Sequence, residues 1–184
     1  EYLYESPSAT AKFIPVFSVQ ITNEPYSLKD KPEVKYEDVE IVYPLTKKEK
    51  QDRKDEAGKF IKEYTNKLAE YAYAEKSGRT ALRTELEAMF ADPDGTLIAV
   101  SYFPKGGNDR MIKREVGKYL TLLKDAKLTA TDPECVYVDK DDVDSIIYSY
   151  IQSFKGKKYS DRVKKVVKME YQDGRWVIIG ITVD

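Results

Sequence analysis

Fifteen tyrosines, one cysteine and no histidine set the chemistry open to this chain of 184 residues. Without imidazole, neither a Ser-His-Asp nor a Cys-His unit can be assembled, and no His-ligated zinc or iron site can form. Any general base must be a carboxylate, a lysine or a tyrosine. Cys135 lies within "TDPECVYVDKDD", where acidic neighbours raise a thiol's pKa, whereas a catalytic thiol needs it lowered. It therefore reads as a structural residue, and being alone it forms no internal disulfide. No catalytic residue, metal ligand or cofactor site is expected.

Three further stretches could carry chemistry. "DKDDVD" (Asp139 to Asp144) offers the oxygen-rich loop that calcium requires, but its fifth position is Val143, its sixth is Asp144 instead of Gly, and no Glu closes it. A solvated acidic turn is the plainer reading. "KGKKYSDRVKK" (Lys155 to Lys165) places six basic residues against one acid and could face an anionic surface or an acidic partner, although a plain solvated loop is the favoured reading. The tyrosines combine apolar area with a polar tip, which suits both interfaces and half-buried sheet surfaces.

These residues must be positioned by a fold of ordinary size. With 41% hydrophobic residues and no apolar run near eighteen residues, the chain can bury a core without metal or disulfide staples and carries no spanning helix. A formal charge of −1, from 31 basic and 32 acidic residues, removes the electrostatic case for nucleic acid. Residues 1–45 contain Pro7, Pro15, Pro25, Pro32 and Pro44, a density that prevents a long helix and favours extended backbone. They are expected to form a leader that packs partly on a domain spanning 46–184, with short strands at Lys12 to Ile21 and Val39 to Pro44.

Thr46 and Glu49 have capping-box spacing, and Ala57, Phe60, Ile61, Tyr64, Leu68 and Tyr71 follow on one helical face, with Gly78 as the stop. Leu82, Leu86, Met89 and Phe90 predict a shorter helix, closed by the turn "DPDG" before a strand at Thr96 to Phe103. Ile112, Val116, Tyr119, Leu120 and Leu123 fit a third helix, which Gly117 weakens, so that a strand stays open over 110–125. From Lys127 onward strands dominate: "KLTAT", "CVYV", Asp142 to Phe154, and Arg162 to Tyr171 with Val163, Val167, Met169 and Tyr171 on the apolar side.

The chain closes on "MEYQDGRWVIIGITVD". Asp173-Gly174 is a strong hairpin signal, since a type I′ turn needs positive φ at both central residues. A two-residue loop pairs Tyr171/Trp176, Met169/Ile178 and Val167/Gly180 on one face, and Glu170/Val177, Lys168/Ile179 and Val166/Ile181 on the other. The Trp face should be buried, and Gly180 marks a bulge or a sharp bend.

A long N-terminal helix, a short one ending near a Phe, a third helix, then antiparallel strands ending in "DGRWVIIGI" resemble the nuclear transport factor 2-like superfamily over about residues 46–184. The resemblance implies an α+β cone, a curved antiparallel sheet wrapped around the long helix and two shorter ones, and it carries no site motif. Members include isomerases and dehydratases, polyketide cyclases, and non-enzymatic assembly domains of bacterial secretion and conjugation machines. It thus implies a non-catalytic binding or assembly module, extracytoplasmic and membrane- or lipid-anchored through a segment upstream of residue 1. A protein partner or self-association is expected ahead of a small-molecule ligand. The mouth of the cone would be lined by Tyr64, Tyr71, Tyr102, Tyr150, Tyr171 and Trp176. Two alternatives stand beside it: an isomerase of the ketosteroid-isomerase-like type using a carboxylate base and Tyr, and a homo-oligomerisation domain burying an outer face of Val166, Val177, Ile179 and Ile181.

Overall fold

The computed structural model describes residues 44–102, 110–140, 142–156 and 160–184. By its internal contacts the chain divides into two units, Glu1–Leu45 and Thr46–Asp184. The strands expected in the leader lie outside the described residues, save Pro44 at the end of the second.

Helix α1 runs over Lys47–Tyr73 and starts at the expected capping box. The Thr46 amide donates to Glu49 Oε2 at 2.7 Å, and the Glu49 amide donates to Thr46 Oγ1 at 3.2 Å. Two backbone donors that the helix leaves open are thereby satisfied. Ala57, Ile61, Tyr64, Leu68 and Tyr71 form its buried face, while Phe60 sits half-buried beside them. Each large side chain so buried stabilises the fold by about 1.5–3 kcal/mol.

Gly78 is not the stop. Helix α1 ends at Ala74, and α2 (Lys76–Glu87) contains Gly78 in its first turn. Ala74 and Glu75 adopt extended ψ values of 141° and 160°, and Arg79 reaches back to donate to the Ala74 carbonyl at 2.6 Å. A side chain five residues downstream thus does the terminating work that glycine was expected to do.

After α2, Asp92 Oδ1 accepts from the amides of Asp94 and Gly95 and closes the "DPDG" turn. Strand β1 (Leu97–Tyr102) then pairs antiparallel with β2 (Arg110–Glu115), which leads into α3 (Val116–Leu122). The expected third helix is therefore half strand. Ile112, read as part of a helical face, lies opposite Val100, because the free edge of β1 offers six residues a backbone partner.

Strands β3 (Lys127–Ala130), β4 (Glu134–Val138), β5 (Ser145–Lys155), β6 (Ser160–Gln172) and β7 (Arg175–Val183) complete the fold. The sheet order is β2-β1-β7-β6-β5-β3, with β4 also on β5. Among the described residues the fold is α+β, a curved, unclosed sheet with three helices. It is mixed in direction, since β1 joins β7 in parallel at Ile98 and Ile181 while the other pairs are antiparallel. One core lies between the inner face and the helices, holding Ile61, Leu68, Ile146, Val167, Met169 and Ile178.

The closing hairpin forms where expected, with φ of 50° at Asp173 and 80° at Gly174 and Gln172 opposite Arg175. Tyr171/Trp176, Met169/Ile178 and Glu170/Val177 also pair as read, and the Trp face is buried. Beyond them the register shifts by one. Val167 faces Ile181 instead of Gly180, Lys168 faces Gly180 instead of Ile179, and Val166 faces Thr182 instead of Ile181. An extra residue in β7 beside Gly180 is the cause, and it turns Ile181 into the core at 1% exposure. Val177 is buried too, so of the four residues expected on an outer oligomer face only Val166 and Ile179 remain half-exposed.

Candidate functional site

Strand alternation brings an unusual group of polar side chains into the interior. On β5, Ile146, Tyr148, Tyr150, Gln152 and Phe154 point inward. Opposite them on β6 stand Met169, Val167, Lys165, Val163 and Asp161. Lys165 thus occupies a core position, 1% exposed and directly across from Tyr150.

Its ammonium donates to the Ala99 carbonyl on β1 at 2.6 Å and lies 5.7 Å from the Tyr119 ring centroid. Burial pulls the Lys165 pKa down to about 8 from 10.5, with Asp161 opposing the shift. Asp161 is half-buried near the end of β6, and burial raises its carboxyl pKa against the lowering effects of the Arg162 backbone and Lys165. Tyr119, on α3, donates from its hydroxyl to Gln152 Oε1 at 2.9 Å, both groups being buried.

Of the six tyrosine and tryptophan positions expected at one mouth, the five whose side chains are described lie in different places. Tyr64 and Tyr150 meet in the interior near Tyr119, 1% and 2% exposed, and burial holds both phenols well above their usual pKa. Among the described residues their hydroxyls have no hydrogen-bond partner of good geometry. Tyr71 is buried toward α2, in the field of Arg83 and Arg79. Tyr171 lies under the Arg53 guanidinium, 3.5 Å from its ring centroid, while Arg53 also pairs with Asp144 at 2.6 Å. Trp176 meets Tyr171 edge to face at 5.5 Å and borders a groove between α1, the end of α2 and the start of β7. Tyr102 ends β1 opposite Arg110, and its side chain is outside the described residues.

None of Lys165, Tyr119, Gln152 and Asp161 was expected in a site: Tyr119 read as part of a helical face, and Asp161 and Lys165 as part of a basic stretch. A signal did exist: extending the apolar alternation Val163, Val167, Met169 requires Lys165 to share their face. A lysine in such a register is easily dismissed as a fault in the pattern.

The acidic turn is tied by its own backbone, Asp139 accepting from the Asp142 amide and Asp142 from the Asp144 amide. Among the described residues no group of three or more Cys, Asp or Glu side chains is placed to hold a metal.

No family model matches the sequence, and no curated protein matches it. Solved structures that resemble the chain include a candidate calcium/calmodulin dependent protein kinase II association domain from Xanthomonas campestris, at 18% identity over 70% of this chain and 84% of that one, with a TM-score of 0.44. The association domain of C. elegans CaMKII matches at 12% identity over 73% and 97%, with a TM-score of 0.43. A candidate polyketide cyclase from Silicibacter sp. matches at 15% identity over 71% and 88%, with a TM-score of 0.39. Each is a partial likeness that does not extend to activity.

Proposed function

We propose that this chain is a non-catalytic binding or assembly module that holds a protein partner or a second copy of itself. One observation carries the reading: the interior polar groups with the chemistry to act spend their hydrogen bonds on the fold itself. Lys165 is bonded to the Ala99 carbonyl, Tyr119 to Gln152, and Tyr64 and Tyr150 are sealed from solvent. An isomerase needs a carboxylate and hydroxyl donors converging on space that a substrate can enter. Here Tyr64 and Tyr150 are 1% and 2% exposed, and Lys165 and Tyr119 are already bonded within the fold. The proposal keeps an extracytoplasmic, membrane- or lipid-anchored setting as its expectation, which fractionation of cells making the full-length protein would test.

The isomerase reading has one observation of its own, the raised pKa of Asp161 on the inner face. Proton exchange of small ketones and isomerisation of β,γ-unsaturated ketones, followed by NMR, separate the two. The binding-module reading expects no rate above buffer. A rate that disappears in Asp161→Asn would replace it with the enzyme.

Self-association draws on the outer face, where Tyr137, Ile147 and Val166 lie on adjacent strands and Tyr137 is 54% exposed. Sedimentation velocity of the protein and of Tyr137→Glu would register a dimer and its loss.

A further inference from the structure

The sheet ends on two edges of opposite character. Among the described strands, β2 pairs only with β1 at one end, and β4 pairs only with β5 at the other. Along such an edge every second residue points its N–H and C=O away from the sheet, a row of donors and acceptors fit to pair with another strand. Both edges also hold apolar side chains in solvent: Met111 on β2 is 53% exposed, and Val136 and Tyr137 on β4 are 56% and 54% exposed.

The charges of the two edges are complementary. From Asp109 to Lys118 the chain has four bases and two acids. Lys118 takes up Glu115 at 2.9 Å, while Lys113 and Arg114 are exposed and enter none of the ion pairs among the described residues. From Asp132 to Asp142 there are five acids and one lysine. Lys62 takes up Asp132 at 3.2 Å, and Lys50 reaches the Lys140 carbonyl at 3.1 Å, which still leaves four acids against two lysines. Glu134, on β4 itself, is exposed and enters none of those ion pairs.

The register matches as well. Ile112 lies opposite the core residue Val100, so its neighbours Met111 and Lys113 belong to the outer face. On β4, Tyr137 lies opposite Ile147 and Glu134 opposite Ser149, both outer positions of β5, and the shift between Cys135 and Tyr137 sets two residues where one would stand. Laid antiparallel, β2 puts Met111 against Tyr137 and, across that bulge, Lys113 against Glu134. An apolar pair and an ion pair then share one face. Pairing β4 with a second β4 would instead bring Glu134 toward Asp139, and β2 with a second β2 would set bases beside bases.

We propose that β2 of one copy of this chain pairs antiparallel with β4 of another, head to tail, so that the sheet continues from copy to copy. The proposal rests on the self-association reading and gives it a surface and a register.

Sedimentation velocity would compare the wild type, Lys113→Glu, Glu134→Lys and an equimolar mixture of the two variants. The wild type should gain mass with concentration and pass beyond the dimer, because a head-to-tail pair leaves β2 free at one end and β4 at the other. Each variant sets like charges opposite and should raise the Kd about tenfold, a difference that high salt narrows. The mixture should regain wild-type association, since the acidified β2 of one variant meets the basic β4 of the other and the untouched edges still match. Both positions are exposed, so melting temperatures measured alongside should stay at the parent value.

A chain that stays monomeric at about 1 mM, or a mixture no more associated than its parts, would overturn the assignment. So would a dimer that both charge variants leave unchanged; its loss in Tyr137→Glu would then keep self-association and move it to the outer face with Ile147 and Val166. Ketone turnover that depends on Asp161 removes the binding-module reading and is registered by a different assay.

Discussion

Strand β6 carries Lys164 and Lys165 side by side, and its pleat sends them to opposite faces. Lys164 points outward and pairs with Asp184 at 2.7 Å, with both side chains well exposed. Lys165 points inward, 1% exposed, and its partner is a neutral backbone carbonyl at 2.6 Å. The outer ammonium keeps most of its hydration and its pairing is screened by salt. The inner one loses its hydration, and its pKa falls to about 8. One residue of register separates a solvated charge from a costly buried one. The inner face thus holds its ammonium among buried side chains, whereas the outer face leaves its charge in water.

The strongest way to break that contrast is to hollow the inner face. Tyr150→Ala removes a buried ring from the core and should cost about 3–5 kcal/mol in denaturant unfolding. A loss below about 1 kcal/mol would mean that the interior is loosely filled and open to a ligand.

Lys165 gives the next largest effect and a sign that only a buried cation shows. Its folded pKa of about 8 lies below the ordinary 10.5, so between those values the unfolded chain binds more protons. The contribution of this group to stability therefore rises with pH across that window, by up to ~1.4 kcal/mol per unit. Below pH 8 the lysine is charged in both states and the burial penalty is present in full. Buried tyrosines act in the opposite direction above their unfolded pKa near 10, because they stay neutral only in the fold. That effect is shared by Lys165→Met and cancels in the difference. Wild-type stability measured against Lys165→Met should thus gain from pH 8 upward, and a flat difference would place the ammonium in water.

Tyr119→Phe leaves the Gln152 side chain buried without its donor and should cost about 1–3 kcal/mol. Thr46→Ala removes the cap of α1, at about 1 kcal/mol in thermal or chemical unfolding. The smallest effect belongs to the outer lysine: Lys164→Met should change stability least of the five, with no feature near pH 8 and with any change fading in high salt. A Lys164→Met profile resembling that of Lys165→Met would erase the distinction between the faces.

Much of the fold could be read from the sequence wherever one element decides its own structure. The Thr46 and Glu49 cap, the buried stripe Ala57 to Tyr71 and the Asp173-Gly174 turn each involve residues within a few positions of one another. The candidate site was far less legible. Tyr64, Tyr150 and Trp176 were marked as one mouth because each faces inward, but facing does not say which inward residues meet. Tyr119 and Gln152 lie 33 positions apart and find each other only through α3 and β5.

Short-range hydrogen bonding and hydrophobic period are written in the chain, so the sequence by itself determined the long capped helix, the order of strands after Lys127 and the closing hairpin, together with the exclusion of histidine chemistry. Tertiary structure decided what depends on distant partners. The edge of β1 turned 110–115 from helix into strand, Arg79 ended α1 before Gly78, and an extra residue in β7 rotated Ile181 inward. The fate of Lys165 belongs to the same class, because its acceptor lies 66 positions away, on a strand that is not β6's neighbour in the sheet. No local propensity encodes a partner that exists only once the sheet has closed over it.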